Sequence, residues 1–550
     1  MNWIVTLCAI AVLVLGCWLV GRALEKRWGL DPARETPAQD CFDGKDYVPT
    51  PKIVVLGHHF SSIAGAGTIV GAVIASSYGW LPALLWIVVG GLLFGAAHDF
   101  GALFASLRHK GRSLGFVLRE HAGEKAQRLF TVFALLVLAL LVACFTNVVA
   151  NAFASEGTGV LSVGLGQVSA QASAGTAAIL FVLVALLFGL LVFRKNLPML
   201  PVTVMCLLLM AGSVAAGLYF GLNLPYAVWV ALIAVYIVAA SLAPVWSLLQ
   251  PRDFLSAFLL WGMMLYCLVV LLLPHELSAP LPAVDFHGQN PGYAILSVLV
   301  MGGAVSGCSA LIASGTTAKQ LANEKHARGV SVGSVALNAV LAVIVLLAMN
   351  NVNLTDTALA SPLSGFATGV ANAAGSPLAY SLVLLTCSVF ALTTLDTCTR
   401  LARYLFGELF NPDNRRIAKL EGAQKFFARP AVGTLILVLL GCGLGLVRDL
   451  NRLWPLFGAA NLLLAGHALH TVVIFLRKEK KSDFLPLIGM GAAMAAGMGF
   501  LLVNAVRTAV NAADWIDWLV VGVSVVLAVL SFLLVYARPG KPEEAASDAD

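Results

Sequence analysis

Two stretches of this 550-residue chain decide its fold: Gly57–Thr68, which reads GHHFSSIAGAGT, and Ser306–Thr317, which reads SGCSALIASGTT. Each places glycines and hydroxyl side chains inside an otherwise apolar run. Glycine lets a helix unwind and expose backbone N–H and C=O groups. In lipid such groups are tolerated only where they line a cavity or are buried in protein. The stretches therefore predict two broken helices around a polar site, with breaks near Gly65–Gly67 and Gly315.

The rest of the chain has the composition of a membrane protein. It is 59% hydrophobic and 11% charged, where soluble proteins have about 25% charged residues, so a soluble enzyme is excluded. Runs of about 20 apolar residues are long enough to cross a bilayer as helices. They predict an all-α, polytopic membrane protein with about fifteen spans, at 2–21, 53–78, 80–106, 127–153, 174–193, 199–221, 226–249, 252–274, 292–317, 328–349, 376–399, 430–447, 453–476, 484–506 and 515–537.

The basic residues predict the orientation of these spans. Of the 34 Lys and Arg, all but Arg448, Arg452 and Arg507 fall on one side, which is a split of 31 to 3. Basic residues concentrate in cytoplasmic loops, so the N-terminus is expected outside and the C-terminus in the cytoplasm. The net charge of +6 then reflects membrane insertion, and no nucleic-acid partner is expected because no basic stripe is interleaved with aromatic residues.

The spans divide the chain into four predicted parts. Residues 1–52 form a first helix and a cytoplasmic linker, 53–476 a core with inverted repeats, 477–537 peripheral C-terminal helices, and 538–550 a disordered cytoplasmic tail. The first helix lacks the basic n-region of a signal peptide, so it is predicted to stay uncleaved.

The two glycine-containing stretches run in opposite directions across the membrane. They lie in the second and the ninth predicted span, an odd difference of seven in order, and an offset of 248 positions matches three of eight residues between 61–68 and 309–316. Inverted, interrupted helices are typical of secondary transporters that bind substrate at the interface of two repeats. The alternative is that the glycines only permit close helix packing.

A half-helix that begins at a break presents free N–H groups and a positive dipole end, which suit a substrate carboxylate. Hydroxyl and imidazole side chains beside the breaks would add directional hydrogen bonds. The predicted substrate-binding residues are His58, His59, Ser61, Gly65, Gly67, Thr68, Ser306, Ser309, Gly315, Thr316 and Thr317.

Three residues inside the spans are candidates for proton coupling: Asp99, His58 and Asp396. Imidazole titrates near neutral pH, and Asp99, with no obvious basic neighbour, is either a protonatable carboxyl or a satisfied core group. Asp396 is also spaced to form an ion pair with Arg400, four residues further on. Neither a cofactor nor a metal is predicted, since the adjacent His58 and His59 point about 100° apart on a helix.

A series of motifs, in order from about 46 to 475, resembles the carbon starvation protein A family. The resemblance implies an inner-membrane secondary transporter of the amino acid–polyamine–cation type, from a family associated with peptide uptake and proton-coupled pyruvate uptake under nutrient limitation. The motifs are Asp46–Thr50 (DYVPT), Gly57–Phe60 (GHHF), Ile63–Gly67 (IAGAG), Leu85–Ile87 (LWI), Asp99–Phe100 (DF), Ser314–Thr317 (SGTT), Leu321–Glu324 (LANE), Ala391–Thr397 (ALTTLDT) and Leu453–Gly458 (LWPLFG).

Three positions depart from the pattern of that family. Thr68 stands where a proline often occurs, Asn338 where an acidic residue is common, and Leu462 where a glutamine is usual. If the acidic group at the second position carries protons in relatives, coupling here has moved to Asp99 or to a histidine.

Together these features predict a proton-coupled importer of small carboxylates or short peptides, such as pyruvate or di- and tripeptides, that works by alternating access in the bacterial inner membrane. Its expected partners are the small-molecule substrate and the lipid bilayer, and the sequence leaves the oligomeric state open. A channel is the first alternative. An intramembrane serine hydrolase is the second, because Gly307-Cys308-Ser309-Ala310 resembles the G-x-S motif of membrane proteases.

Overall fold

The computed structural model describes residues 3–155, 168–286, 290–303, 305–354, 361–411 and 420–537. Within these ranges the chain is mostly helical and forms no strand, only isolated bridges at Thr50–Leu321 and Ala279–Asn351. The all-α prediction is confirmed. The predicted disordered tail, 538–550, lies outside the described residues.

The helices follow one another with short connections, and two of them include π-helical turns, at Gly90–Gly95 and Leu190–Arg194. Short helices at Pro37–Asp40 and Gly422–Phe427 and 3₁₀ turns at Thr317–Lys319 and Glu324–His326 lie between the longer elements. The longer helices are α1 (Trp3–Trp28), α2 (Lys52–Ile63), α3 (Ala66–Ser76), α4 (Trp80–Arg108), α5 (Leu114–Ala122), α6 (Glu124–Phe153), α7 (Ala170–Arg194), α8 (Met199–Tyr219), α9 (Tyr226–Leu242), α10 (Leu249–Leu272), α11 (Pro291–Met301), α12 (Gly307–Gly315), α13 (Ala327–Ala348), α14 (Pro362–Ala374), α15 (Pro377–Phe410), α16 (Pro430–Gly445), α17 (Leu450–Lys478), α18 (Phe484–Val510) and α19 (Trp515–Val535).

Each predicted span coincides with a helix or with a pair of helices. In the described ranges 11 helices are long and apolar enough to cross a membrane, or 12 if the bent pair α2–α3 counts as one span, and α9, α11 and α16 are shorter apolar helices. Helix length does not decide how often the chain crosses, so the number fifteen and the orientation of the termini remain predictions.

Burial separates central helices from lipid-facing ones. In α15, 89% of the most apolar 18-residue window is buried, against 28% in α1 and in α19. Helix α15 contacts α2, α3, α6 and α12, which carry parts of the site described below. The four-part division of the chain remains a prediction.

The first break lies where the sequence predicts it. Helix α2 ends with the Ala64 N–H bonded to the Phe60 carbonyl at 2.8 Å, and α3 begins at Ala66 after an extended Gly65. The two helices are bent by 42°. A Cβ on Gly65 would collide with the Thr394 hydroxyl, so the position requires glycine.

The second break is not at Gly315, and this prediction was wrong. Helix α11 ends at Met301 and α12 begins at Gly307, so the interruption lies between these two residues, while Gly315 is the last residue of α12. Gly303 supplies the turn with a φ of +66°, a conformation that glycine adopts without strain. The alignment of 61–68 with 309–316 therefore paired a helix break with a helix end.

The two breaks touch through their backbones. A Cβ on Gly71 of α3 would lie 2.6 Å from the Met301 carbonyl oxygen, and one on Gly303 would lie 2.7 Å from the Gly67 carbonyl oxygen. No side chain fits between these segments, so glycine at both positions sets how closely the interrupted helices approach.

Replacing Gly71 by alanine is expected to destabilise the protein by about 1–3 kcal/mol, because the added methyl group must push two backbones apart. Gly262, in the middle of α10, is the matched control, since its built Cβ meets no atom within 4 Å. Gly262→Ala should leave stability unchanged or raise it slightly. Thermal unfolding of both purified variants in detergent measures the difference, and equal midpoints would contradict the close contact.

Candidate functional site

A small cavity of about 40 Å³ lies where the two breaks meet, with room for about three water molecules. Within the described ranges no charged side chain lines it. Glycines of both breaks and apolar residues, among them Phe145, Ile312 and Phe457, form much of the wall. The polar and indole side chains in the lining are Ser62, Thr68, Ser306, Ser309, Thr394, Asn461 and Trp454.

Two helices begin at this cavity, α3 at Ala66 and α12 at Gly307. The first N–H groups of a helix have no intrahelical partner, and its N-terminus carries partial positive charge. Asn461 holds the second of these ends, since its Oδ1 accepts from the Cys308 N–H at 3.1 Å and its Nδ2 donates to Ser306 Oγ at 3.1 Å. An uncharged cavity with two positive helix ends suits an anionic ligand.

Hydrogen bonds within the wall satisfy two further polar groups. Thr394 Oγ1 donates to the Ser62 carbonyl near the end of α2 at 3.2 Å, and Thr68 Oγ1 donates to Asn338 Oδ1 at 2.6 Å. Thr68 and Asn338 are two of the positions that depart from the family pattern, and here they contact each other. Neither side chain is titratable, so this part of the wall has no proton carrier.

Trp454 leaves a hydrogen-bond donor unused. Its side chain lines the cavity and is 3% exposed, and its indole Nε1 has no partner among the described atoms. A buried N–H without an acceptor costs free energy, so a ligand oxygen in the cavity would gain this bond.

The predicted binding residues fall into two groups. Gly65, Gly67, Thr68, Ser306 and Ser309 line the cavity. The other group lies outside the cavity. Within this group, Ser61 Oγ donates to the His58 carbonyl of its own helix. Its members are His58, His59, Ser61, Gly315, Thr316 and Thr317.

Below the cavity, two buried aspartate–histidine pairs extend from α2. His59 Nε2 lies 2.7 Å from Asp99 Oδ2, and its Nδ1 lies 2.8 Å from Thr317 Oγ1. Asp99 was expected to have no basic neighbour, and it has His59. The expectation failed because the partner comes from another helix, 40 positions away.

The second pair joins His58 Nδ1 to Asp253 Oδ2, while His58 Nε2 lies 3.2 Å from Thr316 Oγ1. Both side chains are fully buried. Sequence reasoning missed Asp253 because it stands at the start of the predicted span 252–274, where the charge of its neighbour Arg252 was counted only as a sign of orientation. Helix α10 begins at Leu249, so both residues lie inside the protein, and an Arg-Asp pair opening an apolar run was the available signal.

Asp396 pairs with Arg252, and the predicted pair with Arg400 does not form. Arg252 Nη1 donates to Asp396 Oδ2, and the Tyr236 hydroxyl donates to the same oxygen at 2.7 Å. Arg400 Nη2 instead donates to the Ala240 and Ala243 carbonyls at the end of α9, at 2.6 and 2.7 Å. Those carbonyls attract cations, so Arg400 points away from its own helix. A fixed ion pair favours a structural role for Asp396.

The segment around Asp46 closes the side of the protein that is predicted to face the cytoplasm. Asp46 Oδ1 lies 3.4 Å from Arg400 Nη1 and 3.5 Å from Arg403 Nη2. The backbone of this segment pairs with the chain beyond α12, through the Val48 N–H and the Lys319 carbonyl at 3.2 Å. Burial by itself would raise the pKa of Asp46, but Arg403, Lys319 and Arg400 hold it below its usual value.

Two other groups of side chains contain the residue types of catalytic or metal sites. Ser309 Oγ donates to the Ser306 carbonyl at 2.7 Å, and no histidine in the described part of the chain bonds to it, so the hydrolase alternative gains no support. His109, Glu120 and His121 place ligand atoms within 4.8 Å of one another. His109 Nδ1 is bonded to the Ala105 carbonyl and its Nε2 lies 3.2 Å from Glu120 Oε2, which is the geometry of an ion pair.

Sequence comparisons identify relatives along most of the chain. The model of the family Carbon starvation protein CstA matches residues 1–376 and 349–499. The peptide transporter CstA of Helicobacter pylori is 31% identical over 529 residues, covering 82% of this chain and 74% of the relative. The pyruvate/proton symporter BtsT of Escherichia coli is 35% identical over 340 residues, covering 59% and 45%.

Among solved structures, a mutant of the Eremococcus coleocola manganese transporter aligns with 90% of this chain and 98% of its own, with a TM-score of 0.52 and 12% identity. At that identity the likeness concerns the fold alone. It agrees with the predicted broken-helix transporter architecture.

Replacing Arg252 by methionine is expected to destabilise the protein by about 3–5 kcal/mol, because Asp396 is left as a buried charge without its cationic partner. The double variant Arg252→Met/Asp396→Leu should recover most of the loss, since both charges are gone. Arg128→Ala, which breaks an exposed pair with Glu124 at 2.7 Å, should cost less than about 1 kcal/mol. Thermal unfolding of the purified variants measures these differences. If Arg252→Met were as stable as the wild type, the ion pair would be excluded.

Asp46→Asn is expected to lower stability at neutral pH but to matter little in acid. A carboxyl whose folded pKa is depressed stabilises the protein above its ordinary pKa of about 4, and this contribution is lost as the pH falls through the lowered value. The gap between wild type and variant should therefore shrink below about pH 4. The control is Glu35→Gln, an exposed acid in the same segment. A gap independent of pH would contradict the assignment.

Proposed function

The chain belongs to the carbon starvation protein CstA family and is a multi-pass membrane transporter, and on this basis we propose that it imports small carboxylates such as pyruvate by proton-coupled alternating access, with di- and tripeptides as a second substrate class. The proposed location is the bacterial inner membrane, with the N-terminus outside and the C-terminus in the cytoplasm, and the proposed use is uptake under nutrient limitation. The observation that carries the proposal is the uncharged cavity at which α3 and α12 begin.

A carboxylate has suitable partners in this cavity. Each helix N-terminus contributes about half a positive charge, and the unpaired Trp454 Nε1 is a further donor. Because no cationic side chain stands in the described wall, the ligand is not held by a full charge pair. Moderate affinity of this kind suits a transporter, which must also release its substrate.

The lining favours a small carboxylate over a peptide. A peptide brings an ammonium group as well, and the described lining holds no acidic side chain. The nearby Asp253 and Asp396 are bonded to His58 and Arg252. The cavity, with room for about three waters, also suits a small acid better than a dipeptide.

The packing around the cavity favours a transporter over a channel. Beneath the cavity lie four fully buried side chains, those of His58, His59, Asp99 and Asp253. On the same side, the segment around Asp46 pairs with the chain that follows α12. A solute therefore needs a rearrangement of packed elements to leave on that side. Alternating access requires such a rearrangement, whereas an open channel does not.

Uptake by the purified protein in liposomes tests the proposal. Labelled pyruvate and alanyl-alanine are supplied with and without an inward proton gradient, and counterflow is measured with unlabelled substrate inside. Saturable uptake, counterflow, and accumulation of pyruvate only with the gradient are expected. Uptake that does not saturate and lacks counterflow would indicate a channel, and accumulation without the gradient would exclude proton coupling.

Trp454→Phe is expected to raise the KM for pyruvate by about 2- to 12-fold, the effect of one hydrogen bond of about 0.5–1.5 kcal/mol. Trp86→Phe is the matched control, since its indole Nε1 is also buried without a described partner but does not line the cavity. Initial uptake rates over a range of pyruvate concentrations give both values. Equal KM values for the two variants would remove Trp454 from the binding site.

A further inference from the structure

We propose that the His58–Asp253 pair carries the coupled proton and that Thr316 transmits the protonation state of this pair to α12. The inference rests on the proposed function and names its coupling residues. Asp253 is a residue that sequence reasoning did not select, and the neighbouring His59–Asp99 pair is assigned a structural role.

Hydrogen-bond donors around His58 determine which protons are present. Thr316 Oγ1 donates to the Ile312 carbonyl at 2.9 Å, and a hydroxyl has only one hydrogen to donate. With the Thr316 hydrogen assigned to Ile312, His58 Nε2, at 3.2 Å from Thr316 Oγ1, carries a hydrogen and donates it. The contact between His58 Nδ1 and Asp253 Oδ2 then needs a second proton, because two lone pairs would otherwise face each other. In this conformation the pair is loaded and has no net charge.

Unloading removes one proton and requires one local change. The proton leaves His58 Nε2, Nδ1 keeps its hydrogen and donates to the Asp253 carboxylate, and the pair becomes singly negative. Nε2 then needs a donor, which the Thr316 hydroxyl supplies if it turns from the Ile312 carbonyl. The last turn of α12 thus differs between the loaded and unloaded states.

The same helix forms the substrate site at its other end. Helix α12 runs from Gly307, beside the cavity, to Gly315, next to Thr316, and at 1.5 Å per residue its nine residues span about 13 Å. The charge of the pair also acts on an anion in the cavity, since charges interact over several ångströms in the protein interior. A change at the pair therefore reaches the site both through the helix and through charge.

The charges around the pair support both of its states. The nearby groups are Arg252, Asp396, Arg400 and His59. Asp396 is paired with Arg252, and Arg400 is held by backbone carbonyls, so these charges stay in place. The two arginines stabilise the negative, unloaded pair, while a substrate carboxylate in the cavity opposes it. Bound substrate therefore raises the affinity of the pair for the proton by a factor of about ten, and the proton raises the affinity for substrate by the same factor.

The His59–Asp99 pair does not require a second proton. The Thr317 hydroxyl has no described carbonyl acceptor that competes for its hydrogen, so it can donate to His59 Nδ1 at 2.8 Å, while Nε2 donates to Asp99 at 2.7 Å. Neutral histidine and carboxylate satisfy this arrangement. Asp99 also does not line the cavity. The chain thus provides a matched control for every residue of the proposed carrier.

The test compares accumulation with counterflow in proteoliposomes loaded with pyruvate. Asp253→Asn, His58→Gln and Thr316→Val should each reduce gradient-driven accumulation at least about tenfold, while counterflow, which needs no net proton movement, persists. The controls Asp99→Asn, His59→Gln and Thr317→Val should still accumulate pyruvate with the gradient. Thr316→Ser keeps the hydroxyl and should restore coupling. If Asp253→Asn does not fold, the comparison of Thr316→Val with Thr316→Ser still tests the proposal.

The outcomes separate this inference from the proposed function. If the wild type shows no pyruvate or peptide uptake, the function fails. If the wild type is coupled but Asp253→Asn and Thr316→Val remain coupled, the carrier assignment is overturned. It is also overturned if the Asp99 and His59 variants lose accumulation as completely as the Asp253 and His58 variants.

Discussion

The structure depends on one constraint: hydrocarbon offers no hydrogen-bond partners, so every interruption of a helix must be satisfied by the protein itself. At the first break Thr394 donates to the Ser62 carbonyl, and at the second Asn461 accepts from the Cys308 N–H. The breaks pack against each other through glycine backbones, and α3 and α12 both begin beside one small cavity. The candidate site follows from how the breaks are satisfied.

The same constraint governs the charges. Arg252 and Asp253 are neighbours on α10, and successive helical residues point about 100° apart. Arg252 therefore meets Asp396 on α15, while Asp253 meets His58 on α2. An arginine keeps its charge at any physiological pH, whereas imidazole can lose it. Adjacent positions thus supply one fixed ion pair and the pair that we propose as the proton carrier.

Local features of the sequence predicted much of this. The apolar runs correspond to the helices, the break at Gly65 follows from glycines inside such a run, and five of the predicted binding residues line the cavity. The second break was missed because the matched glycine, Gly315, ends a helix, and the break lies at Gly302 and Gly303. The Asp396–Arg400 prediction failed because spacing along one helix cannot show that carbonyls of α9 compete for the arginine.

The sequence by itself determined that the chain is a helical membrane protein, where its apolar segments lie, and which family it resembles, since hydropathy and backbone preference are properties of neighbours along the chain. Only the tertiary structure decided which buried charges meet. His58 and Asp253 are 195 positions apart, and Arg252 and Asp396 are 144 apart. Such contacts depend on how each helix is rotated and packed in three dimensions.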